Sequence, residues 1–407
     1  MKYGLLGRKL GHSYSPVIHT LLGSAPYELF EREPEDLERF LREGDFDGIN
    51  VTVPYKKAVI PYLDELSPVA ARLGAVNTVV RRDGKLIGHN TDCFGFLTMV
   101  RSSGLDVKGK KVLVLGSGGA SNTAVAALRD LGANVVIISR TGQNNYTNLH
   151  LHVDAAVIVN TTPVGMYPET DQSPVELSLF PRLEGVLDVI YNPASTALLR
   201  QARHRGITAC NGLLMLVAQA KEASEWFRQV CVADSEILRI HRLLKQKMEN
   251  IILIGMPGCG KSTVGRLLAE MLGKPFADAD KLIEETAGKP IPEIFAGEGE
   301  DAFRKLETEA LAALCKQSGL VIATGGGCVT REENLDILQQ NGRIFWLQRD
   351  VDKLPVSGRP LSQKTAPQEL YRMREPMYRR FADRIICNNN DINDTLAEIR
   401  ARWEETV

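Results

Sequence analysis

A glycine-rich segment in the second half of the chain has the residue types that hold a nucleoside triphosphate. Residues 255–262 read GMPGCGKS, which fits Gly-x-x-x-x-Gly-Lys-Ser, and they lie between an apolar run and the helical pattern TVGRLLAEMLG. In such a loop the amides surround the phosphates, Lys261 spans them, and the Ser262 hydroxyl faces Mg²⁺. The residues expected to contact ATP are Gly258, Cys259, Gly260, Lys261, Ser262 and Thr263. The sequence therefore predicts a site for ATP and Mg²⁺.

A second glycine-rich turn indicates a dinucleotide site in the first half. The segment KKVLVLGSGGASNTAVAALRDLGANVVIISR reads as strand, turn, helix and strand, and glycine lets a pyrophosphate approach the amides at the helix N-terminus. The expected contacts are Gly116, Gly118, Gly119 and Ala120 at the turn, with Ser139, Arg140 and Thr141 after the second strand. Chains that bind NAD commonly carry Asp or Glu near Arg140, whereas a guanidinium can pair with a 2′-phosphate. The cationic position therefore favours NADP(H) over NAD.

Several polar clusters upstream follow neither a helix nor a strand period. They are GHSYSP (11–16), NVTVPYK (50–56), AVNT (75–78) and NTD (90–92). In this order they resemble the substrate domain of shikimate dehydrogenases. The resemblance covers roughly residues 1–230 and includes NTTPVGM (160–166), YNP (191–193) and NGLLMLVAQA (211–220). A small-molecule substrate, 3-dehydroshikimate, is thereby implied.

The resemblance also implies residue roles in the first half. Ser13 and Ser15 would hold the substrate carboxylate, and the other substrate-binding positions would be Asn50, Thr52, Asn77, Tyr191 and Gln219. Lys56 and Asp92 would be the catalytic pair. Hydride addition to a ring ketone leaves an alkoxide that must gain a proton, and Lys56 could either donate this proton or stabilise the charge. The sequence leaves both roles open.

A set of motifs in the second half resembles shikimate kinase over nearly all of residues 248–407. They are FADAD, AFRKLE, ATGGG, SGRPL and MREPMYRRFA. The resemblance implies that Asp278 sits near the metal, Asp280 accepts from the ring hydroxyls, and Arg304 and Arg374 clamp the carboxylate. Gly325, Gly326 and Gly327 would let the ring lie against the backbone, and Arg359 would swing in on a lid to neutralise phosphoryl charge. Shikimate would then be a substrate of this half.

The chain departs from the two families at three places. Asn122 stands where the dehydrogenases often carry Arg, and only 13 residues separate Arg140 from Asp154, which suggests that a helix or strand has been lost. The segment RDVDKLPVSG before Arg359 is short and lacks the arginine that the kinases stack on adenine, for which Arg349 could substitute. These departures bear on affinity for the two nucleotides.

Composition limits the possible partners and compartments. The 407 residues carry 49 Lys and Arg against 50 Asp and Glu, so no global field would attract nucleic acid or an anionic membrane. The seven cysteines form no Cys-x-x-Cys pair, which disfavours a zinc site and favours reduced thiols. No apolar run is long enough to cross a bilayer. We expect a cytoplasmic protein without nucleic-acid or membrane partners, and the sequence leaves homo-oligomerisation open.

The elements that position these motifs predict an α/β fold. Residues 111–115, 135–139, 250–254 and 320–323 read as buried strands, and residues 212–247 read as helical. We expect a dehydrogenase at 1–247 and a P-loop kinase with a parallel sheet at 248–407. The dehydrogenase would comprise a substrate lobe (1–100 with a returning C-terminal helix) and a Rossmann-like NADP lobe (101–210), with the active-site cleft between them.

The two resemblances converge on one molecule, because the first half would make shikimate and the second would phosphorylate its 3-hydroxyl. Two alternatives stay open. One is that the first half is a quinate dehydrogenase that prefers NAD. Failure of the protein to discriminate the 2′-phosphate of NADP would support this alternative. The other is a nucleotide-sensing kinase-like domain without turnover, which ATP binding or hydrolysis unaffected by shikimate would favour.

Overall fold

A computed structural model describes residues 1–11, 13–354 and 366–405, and the contacts within this part of the chain define two units. The first contains residues 1–191 and 196–243, and the second contains residues 192–195 and 244–407. The first unit has an N-terminal lobe and a central lobe, each built on its own sheet. The α/β fold class expected from the sequence is confirmed.

The N-terminal lobe is built on a six-stranded mixed sheet in the order β2-β1-β3-β5-β6-β4. Its strands are β1 (Tyr3–Gly7), β2 (Tyr27–Glu31), β3 (Gly48–Val51), β4 (Glu65–Leu66), β5 (Thr78–Arg82) and β6 (Lys85–His89). β5 and β6 form an antiparallel hairpin through Asp83 and Gly84, both at positive φ (49° and 77°). Two such residues match the right-handed twist of a tight hairpin. The sheet is therefore mixed, although an alternating α/β pattern alone favours parallel strands.

A helix from late in the sequence completes the N-terminal lobe. The helices packed around this lobe are α1 (Ser15–Leu21), α2 (Leu37–Glu43), α3 (Pro68–Leu73), α4 (Asp92–Ser102) and α7 (Leu213–Arg228). Phe227 of α7 stacks on Tyr3 with ring centroids 5.1 Å apart. A Cβ on Gly95 of α4 would lie 2.6 Å from the Met215 carbonyl oxygen of α7, so glycine permits the close crossing of these helices.

The central lobe is a parallel five-stranded sheet in the order β11-β10-β9-β7-β8. Its elements are β7 (Lys111–Leu115), α5 (Gly119–Asp130), β8 (Asn134–Ile138), β9 (Val157–Asn160), β10 (Gly185–Asp188), α6 (Ala197–His204) and β11 (Thr208–Cys210). The predicted strand at 111–115 is confirmed, and the one at 135–139 begins and ends one residue earlier. Between β8 and β9 the chain forms a turn and a 3₁₀ helix (Leu149–His152) in place of a full α-helix.

The second unit contains a parallel sheet in the order β13-β14-β12-β15-β16. Its strands are β12 (Asn250–Ile254), β13 (Phe276–Asp278), β14 (Val321–Ala323), β15 (Gly342–Gln348) and β16 (Arg384–Cys387). β12 and β14 confirm the strands predicted at 250–254 and 320–323, the second without its first residue. Both are buried along their whole length, which explains their continuous apolar sequences.

Helices lie around this sheet, and the helix that precedes it in the chain spans the boundary between the two units. They are α8 (Ser235–Met248), α9 (Lys261–Leu272), α10 (Ala279–Ala287), α11 (Ile291–Cys315), α12 (Glu333–Leu338), α13 (Pro367–Phe381) and α14 (Ile392–Glu404). The helical region expected at 212–247 is two helices, α7 and α8. α11 bends at Gly299, whose φ of 85° suits only glycine well. Among the described residues, no helix is long and apolar enough to span a membrane.

Candidate active sites

The N-terminal lobe places Lys56 and Asp92 in direct contact. Lys56 follows β3, and its Nζ donates to Asp92 Oδ2 at 2.6 Å. Asp92 is the first residue of α4, where the helix dipole favours a carboxylate, and it is only 4% exposed. The ammonium group is therefore held at one place beside a buried negative charge.

Asn77 connects three elements next to this pair. Its Nδ2 donates to Thr91 Oγ1 at 3.0 Å and to Gln219 Oε1 at 3.2 Å. Its Oδ1 accepts from the Thr91 backbone N–H at 2.7 Å. Because Gln219 lies on α7, the returning helix brings this predicted substrate ligand to the same site. The sequence did not single out Thr91, although it lies inside the NTD motif.

Asn50 belongs to a second network on the same sheet. Tyr27 donates its hydroxyl proton to Asn50 Oδ1 at 2.8 Å, and Asn50 Nδ2 donates to Thr78 Oγ1 at 3.1 Å. Burial raises the pKa of Tyr27 well above its usual value, and a hydrogen bond with Ser15 opposes this rise. Tyr27 therefore links a predicted carboxylate ligand to a predicted hydroxyl ligand, a role that its position in an ordinary strand pattern did not reveal.

The two predicted serines lie at the start of α1. The Ser15 backbone N–H donates to Ser13 Oγ at 3.2 Å. Between them, Tyr14 meets Tyr191 edge to face with ring centroids 6.3 Å apart, which places Tyr191 beside the serines. Thr52 follows β3, and its N–H donates to the Leu6 carbonyl oxygen at 2.9 Å. The predicted substrate ligands of the first half thus lie at the carboxyl end of β3, directly before β5, at the start of α1, after β10 and on α7.

A cavity of about 650 Å³ lies at the carboxyl ends of the central strands. Its lining residues are Gly116, Ser117, Gly118, Ser139, Arg140, Tyr146, Thr161, Thr162, Pro163, Val164, Ser173 and Pro174. Gly116 has φ of 112°, and a Cβ there would lie 2.8 Å from Thr161 Oγ1. Gly119 and Ala120 open α5 beside this turn, and Thr141 follows Arg140. The cavity thus contains both the glycine turn and the cationic position expected for a dinucleotide.

A buried carboxylate joins two loops below this cavity. Asp188 accepts hydrogen bonds from Asn160 Nδ2 (3.1 Å), the Ile190 N–H (3.0 Å) and Thr196 Oγ1 (2.8 Å). Burial raises the pKa of Asp188 to about 6, although all three hydrogen bonds favour its charged form. Nothing in the sequence distinguished this Asp from a surface residue, since it ends an ordinary apolar strand.

The second unit places the predicted phosphate loop between β12 and α9. Gly258 and Gly260 have φ of 86° and 102°, which glycine adopts without strain. Lys261 is buried, and its Nζ donates to the carbonyl oxygens of Gly255 (2.8 Å) and Met256 (3.1 Å). Cys259 is also buried, whereas Thr263 lines the adjoining cavity. The loop amides and the ammonium group can together surround an anion.

Two oxygen ligands for a cation lie beside this loop. Ser262 Oγ donates to Asp278 Oδ2 at 2.6 Å, and Asp278 also caps α10. A hydroxyl and a carboxylate fit Mg²⁺, which commonly uses one or two protein oxygens together with substrate phosphates and water. The described residues contain no group of three or more His, Cys, Asp or Glu side chains placed for a metal.

A second cavity of about 650 Å³ joins the phosphate loop to the predicted ring-acid ligands. It is lined by Asp280, Arg304, Glu307, Gly325, Gly326, Gly327, Arg349 and Arg374, together with Lys261 and Ser262. A Cβ on Gly327 would overlap the Arg304 guanidinium, and one on Gly325 would overlap Glu307 Oε1. The glycines therefore allow the backbone to approach these charged groups closely.

The charged groups of this cavity are buried and partly paired. Arg304 Nη1 donates to Glu307 Oε2 at 2.6 Å, and Arg374 Nη1 donates to the Gly326 carbonyl oxygen at 3.0 Å. Burial raises the pKa of both Asp280 and Glu307. The AFRKLE motif did not by itself indicate a role for Glu307, yet its position three residues after Arg304 on one helix predicts a contact.

Four atoms of this cavity have no hydrogen-bond partner within the described part of the chain. They are Asp280 Oδ1, Arg304 Nε, Glu307 Oε1 and Arg349 Nε. Buried polar groups without partners are rare in folded proteins and are often completed by a ligand. Arg349 lies at the same cavity, as its suggested nucleotide role requires, whereas Arg359 lies outside the described residues.

Comparison with known proteins separates the same two regions. Residues 5–79 match the family model for the shikimate dehydrogenase substrate binding domain, and residues 257–403 match that for shikimate kinase. The shikimate dehydrogenase (NADP(+)) of Clostridium beijerinckii is 35% identical over 255 residues, which cover 58% of this chain and 94% of the relative. That of Bacillus cereus is 38% identical over 251 residues, covering 55% of this chain and 91% of the relative.

Solved structures resemble the first unit. Shikimate 5-dehydrogenase from Thermus thermophilus, in complex with NADP(H) and shikimate, has a TM-score of 0.54 and 33% identity, and it covers 60% of this chain and 99% of that structure. Quinate dehydrogenase from Corynebacterium glutamicum, in complex with NAD, also has a TM-score of 0.54, with 29% identity over 60% of this chain and 99% of that structure. The similarity thus extends over nearly the whole of each of these neighbours.

Proposed function

This chain belongs to the shikimate dehydrogenase family and carries a shikimate kinase domain, and from this premise we propose that it catalyses two consecutive reactions. The first is NADPH-dependent reduction of 3-dehydroshikimate to shikimate. The second is phosphorylation of the shikimate 3-hydroxyl by ATP and Mg²⁺. The observation that carries the proposal is the second cavity, because Asp280, Arg304 and Arg374 line it together with the phosphate loop. A nucleotide sensor would have no need of buried ligands for a ring acid.

In the dehydrogenase site, the chain's own residues orient the substrate and supply a proton or a positive charge. Ser13 and Ser15 bind the carboxylate, and the amides of Asn50, Asn77 and Gln219 bind the ring hydroxyls. NADPH, when bound at the glycine turn, supplies the hydride. Lys56 faces the oxygen that becomes negative, and its contact with Asp92 at 2.6 Å keeps the ammonium group in place. The Thr52 hydroxyl also bonds a ring hydroxyl, and Tyr191 is a further substrate-binding residue in this proposal.

In the kinase site, buried charges fix the acceptor. Arg304 and Arg374 bind the shikimate carboxylate, and Asp280 accepts a hydrogen bond from the attacking hydroxyl. Burial raises the pKa of Asp280, which makes its carboxylate a better proton acceptor once it is ionised. Lys261 and the loop amides neutralise the phosphates, and Ser262 and Asp278 would hold Mg²⁺. Arg359 is proposed to neutralise charge on the transferring phosphoryl group.

The proposal extends to the limits and the compartment of the enzyme. We place the dehydrogenase at residues 1–247 and the kinase at 248–407, and we propose the cytoplasm as its compartment. All seven cysteines are free thiols, as a reducing compartment favours. Assembly of identical copies stays a prediction.

The proposal is tested by supplying the full chain with 3-dehydroshikimate, NADPH and Mg-ATP and measuring both products by mass spectrometry. We expect shikimate 3-phosphate to accumulate. Lys261→Ala should stop the sequence at shikimate, and Lys56→Ala should stop it before shikimate. Accumulation of shikimate in the unaltered chain would reject the kinase step alone, and absence of both products would reject the proposal.

A matrix of coenzymes and substrates distinguishes the quinate alternative. Rates are measured with NADPH or NADH and with 3-dehydroshikimate or 3-dehydroquinate. Arg140 lines the cofactor cavity, so we expect NADPH and 3-dehydroshikimate to give the highest kcat/KM. Preference for NADH and 3-dehydroquinate would support the quinate alternative instead.

A further inference from the structure

The segment between β8 and β9, which looked like a deletion, is held in shape by its own side chains. The Asn145 N–H donates to Asn148 Oδ1 at 2.8 Å, and Asn148 Nδ2 donates to the Gln143 carbonyl oxygen at 2.9 Å. The Ser139 N–H donates to the Asn144 carbonyl oxygen at 3.1 Å, which fastens this turn to the end of β8. The shortened segment is therefore an ordered turn, and it lies beside Arg140 at the end of β8.

Tyr146 lies at the centre of this turn and faces the nucleotide cavity. Its ring is half-buried and packs against the core that contains Leu113 and Ile138, and it also lines the cavity together with Arg140. Burial raises the pKa of Tyr146 and the charge of Arg140 opposes that rise, so the ring is neutral at physiological pH. An aromatic surface and a cation thus border the same end of the cavity.

The end of the cavity that Tyr146 and Arg140 border has a defined position in the fold, and this position identifies the part of the nucleotide that binds there. In sheets of this type the pyrophosphate lies at the turn after the first strand, and the adenosine ribose lies at the end of the second. In this chain the first strand is β7 and the second is β8, so Arg140 and Tyr146 stand on the adenosine side. We propose that Tyr146 supplies the aromatic face against which the adenine of NADP(H) stacks. This proposal rests on the dehydrogenase function proposed above.

The chemistry of the two groups is complementary. Arg140 can pair with the 2′-phosphate, whose charge is specific to NADP, while Tyr146 offers the flat apolar surface that any adenine ring can use. The asparagine-rich turn thus presents Tyr146 to the cavity, and Tyr146 sets affinity for the adenosine half without acting on the nicotinamide.

The experiment compares Tyr146→Leu and Tyr146→Phe in the full chain. Isothermal titration calorimetry measures binding of 2′,5′-ADP, which carries the adenosine half, and steady-state rates give KM for NADPH and for the ketone substrate. We expect Tyr146→Leu to weaken 2′,5′-ADP and to raise KM for NADPH about ten-fold, as loss of one base-stacking contact does. Tyr146→Phe should stay within two-fold of the unaltered chain.

Two controls separate stacking from a general packing defect. Tyr62→Leu alters another half-buried tyrosine that packs against a core cluster in the N-terminal lobe, and it should leave 2′,5′-ADP binding unchanged. Inhibition by reduced nicotinamide mononucleotide, which lacks adenosine, should be equal in all variants. Unchanged 2′,5′-ADP binding in Tyr146→Leu, tighter binding, or equal weakening of both ligands would overturn the proposal.

Calorimetry also keeps the two proposals distinguishable. If the unaltered chain binds 2′,5′-ADP but does not turn over NADPH and 3-dehydroshikimate, the proposed function fails while the tyrosine is still tested by binding. If the unaltered chain reduces 3-dehydroshikimate and Tyr146→Leu binds 2′,5′-ADP normally, only the tyrosine proposal fails. Absence of 2′,5′-ADP binding in the unaltered chain also contradicts the tyrosine proposal.

Discussion

The two active sites differ in how completely their polar groups are paired. In the dehydrogenase site, Lys56 contacts Asp92, and the amides of Asn50 and Asn77 both donate and accept within the protein. In the kinase site, among the described residues, Asp280, Arg304 and Glu307 each retain a buried polar atom without a partner. The first site is therefore held together mainly by internal contacts, with Asn90 Oδ1 of its NTD motif unpaired among the described residues, while the second keeps more hydrogen-bonding capacity for a ligand.

This difference changes what a substitution does. In the paired site, removing one group leaves a buried partner unsatisfied, so folding and catalysis should suffer together. In the site with spare capacity, removing a group can relieve a desolvation penalty while it destroys substrate binding. Substitutions in the dehydrogenase site should consequently lower both stability and activity. Substitutions in the kinase site should lower activity while they raise the stability of the unliganded unit.

The largest effect is expected at the paired ammonium group. Lys56→Ala should slow turnover of the dehydrogenase reaction by about 10²- to 10⁴-fold, because a positioned proton donor or cation is lost beside the buried Asp92. Lys57→Ala removes an exposed neighbour and should change this turnover less than two-fold. Separate assays of ketone reduction and of shikimate phosphorylation measure both variants; equal losses in the two would contradict the assignment.

The second prediction concerns pH and the fully hydrogen-bonded Asp188. Its folded pKa is raised by burial from 3.8 to about 6, so the folded state binds the proton more tightly than the unfolded chain. This contribution to stability is fully present below pH 3.8 and is lost as pH rises through 6, a change of about 3 kcal/mol at 1.36 kcal/mol per pKa unit.

Asp188→Asn removes that titration while keeping the shape of the side chain. Pulse proteolysis across a urea series, read from peptides of the dehydrogenase unit, gives the unfolding free energy at pH 4.5 and pH 7. Relative to the unaltered chain, the variant should gain stability between these two values. A difference that does not change with pH would show that the three hydrogen bonds fully offset burial.

The third prediction tests the carboxylate clamp of the kinase. Arg304→Ala should lower kcat/KM for shikimate about 100-fold, because it removes charge-assisted hydrogen bonds and leaves Glu307 without its partner. KM for ATP should change less than three-fold. Lys305→Ala, at the exposed next position, is the matched control and should leave both constants unchanged. A similar loss for ATP and shikimate would instead indicate general disruption of the domain.

The smallest expected effect is a change in stability, and it most directly separates the two sites. Asp280→Ala should stop phosphorylation yet stabilise the unliganded kinase unit by about 1 kcal/mol, since a buried carboxylate oxygen without a partner is removed. Asp92→Ala should destabilise the dehydrogenase unit because Lys56 loses its partner. Hydrogen exchange of the peptides from β12 and β5 measures each unit separately. Destabilisation of both units would break the distinction.

The sequence predicted best those strands that are buried on both faces. β7 and β12 appear at the expected residues because parallel strands covered on both sides need continuous apolar sequences. β2 escaped notice because YELFE is partly exposed and carries charges. The hairpin β5–β6 had a recognisable signal, the Asp-Gly pair at its turn. The polar residues around this pair follow no strand period, and they obscured the signal.

The site residues also divide into those that the sequence could predict and those that it could not. Lys56, Asp280 and Arg374 stand in local motifs. The structure places Lys56 against Asp92 and places Asp280 and Arg374 at the cavity beside the phosphate loop, while their roles stay predictions. Contacts between distant residues could not be read, since Tyr27 meets Asn50 across 23 positions and Asn77 meets Gln219 across 142. Such pairs depend on how the lobes close, which no local pattern records.

The returning helix α7 has a consequence for synthesis on the ribosome. The strands of the N-terminal sheet are complete at His89, but α7, which covers it through Phe227, begins only at Leu213. Ribosomes add about 5–20 residues per second, so the young sheet stays uncovered for on the order of ten seconds. The central lobe is completed within that interval. The order of synthesis therefore supplies every strand of the central lobe before the helix that covers the N-terminal sheet.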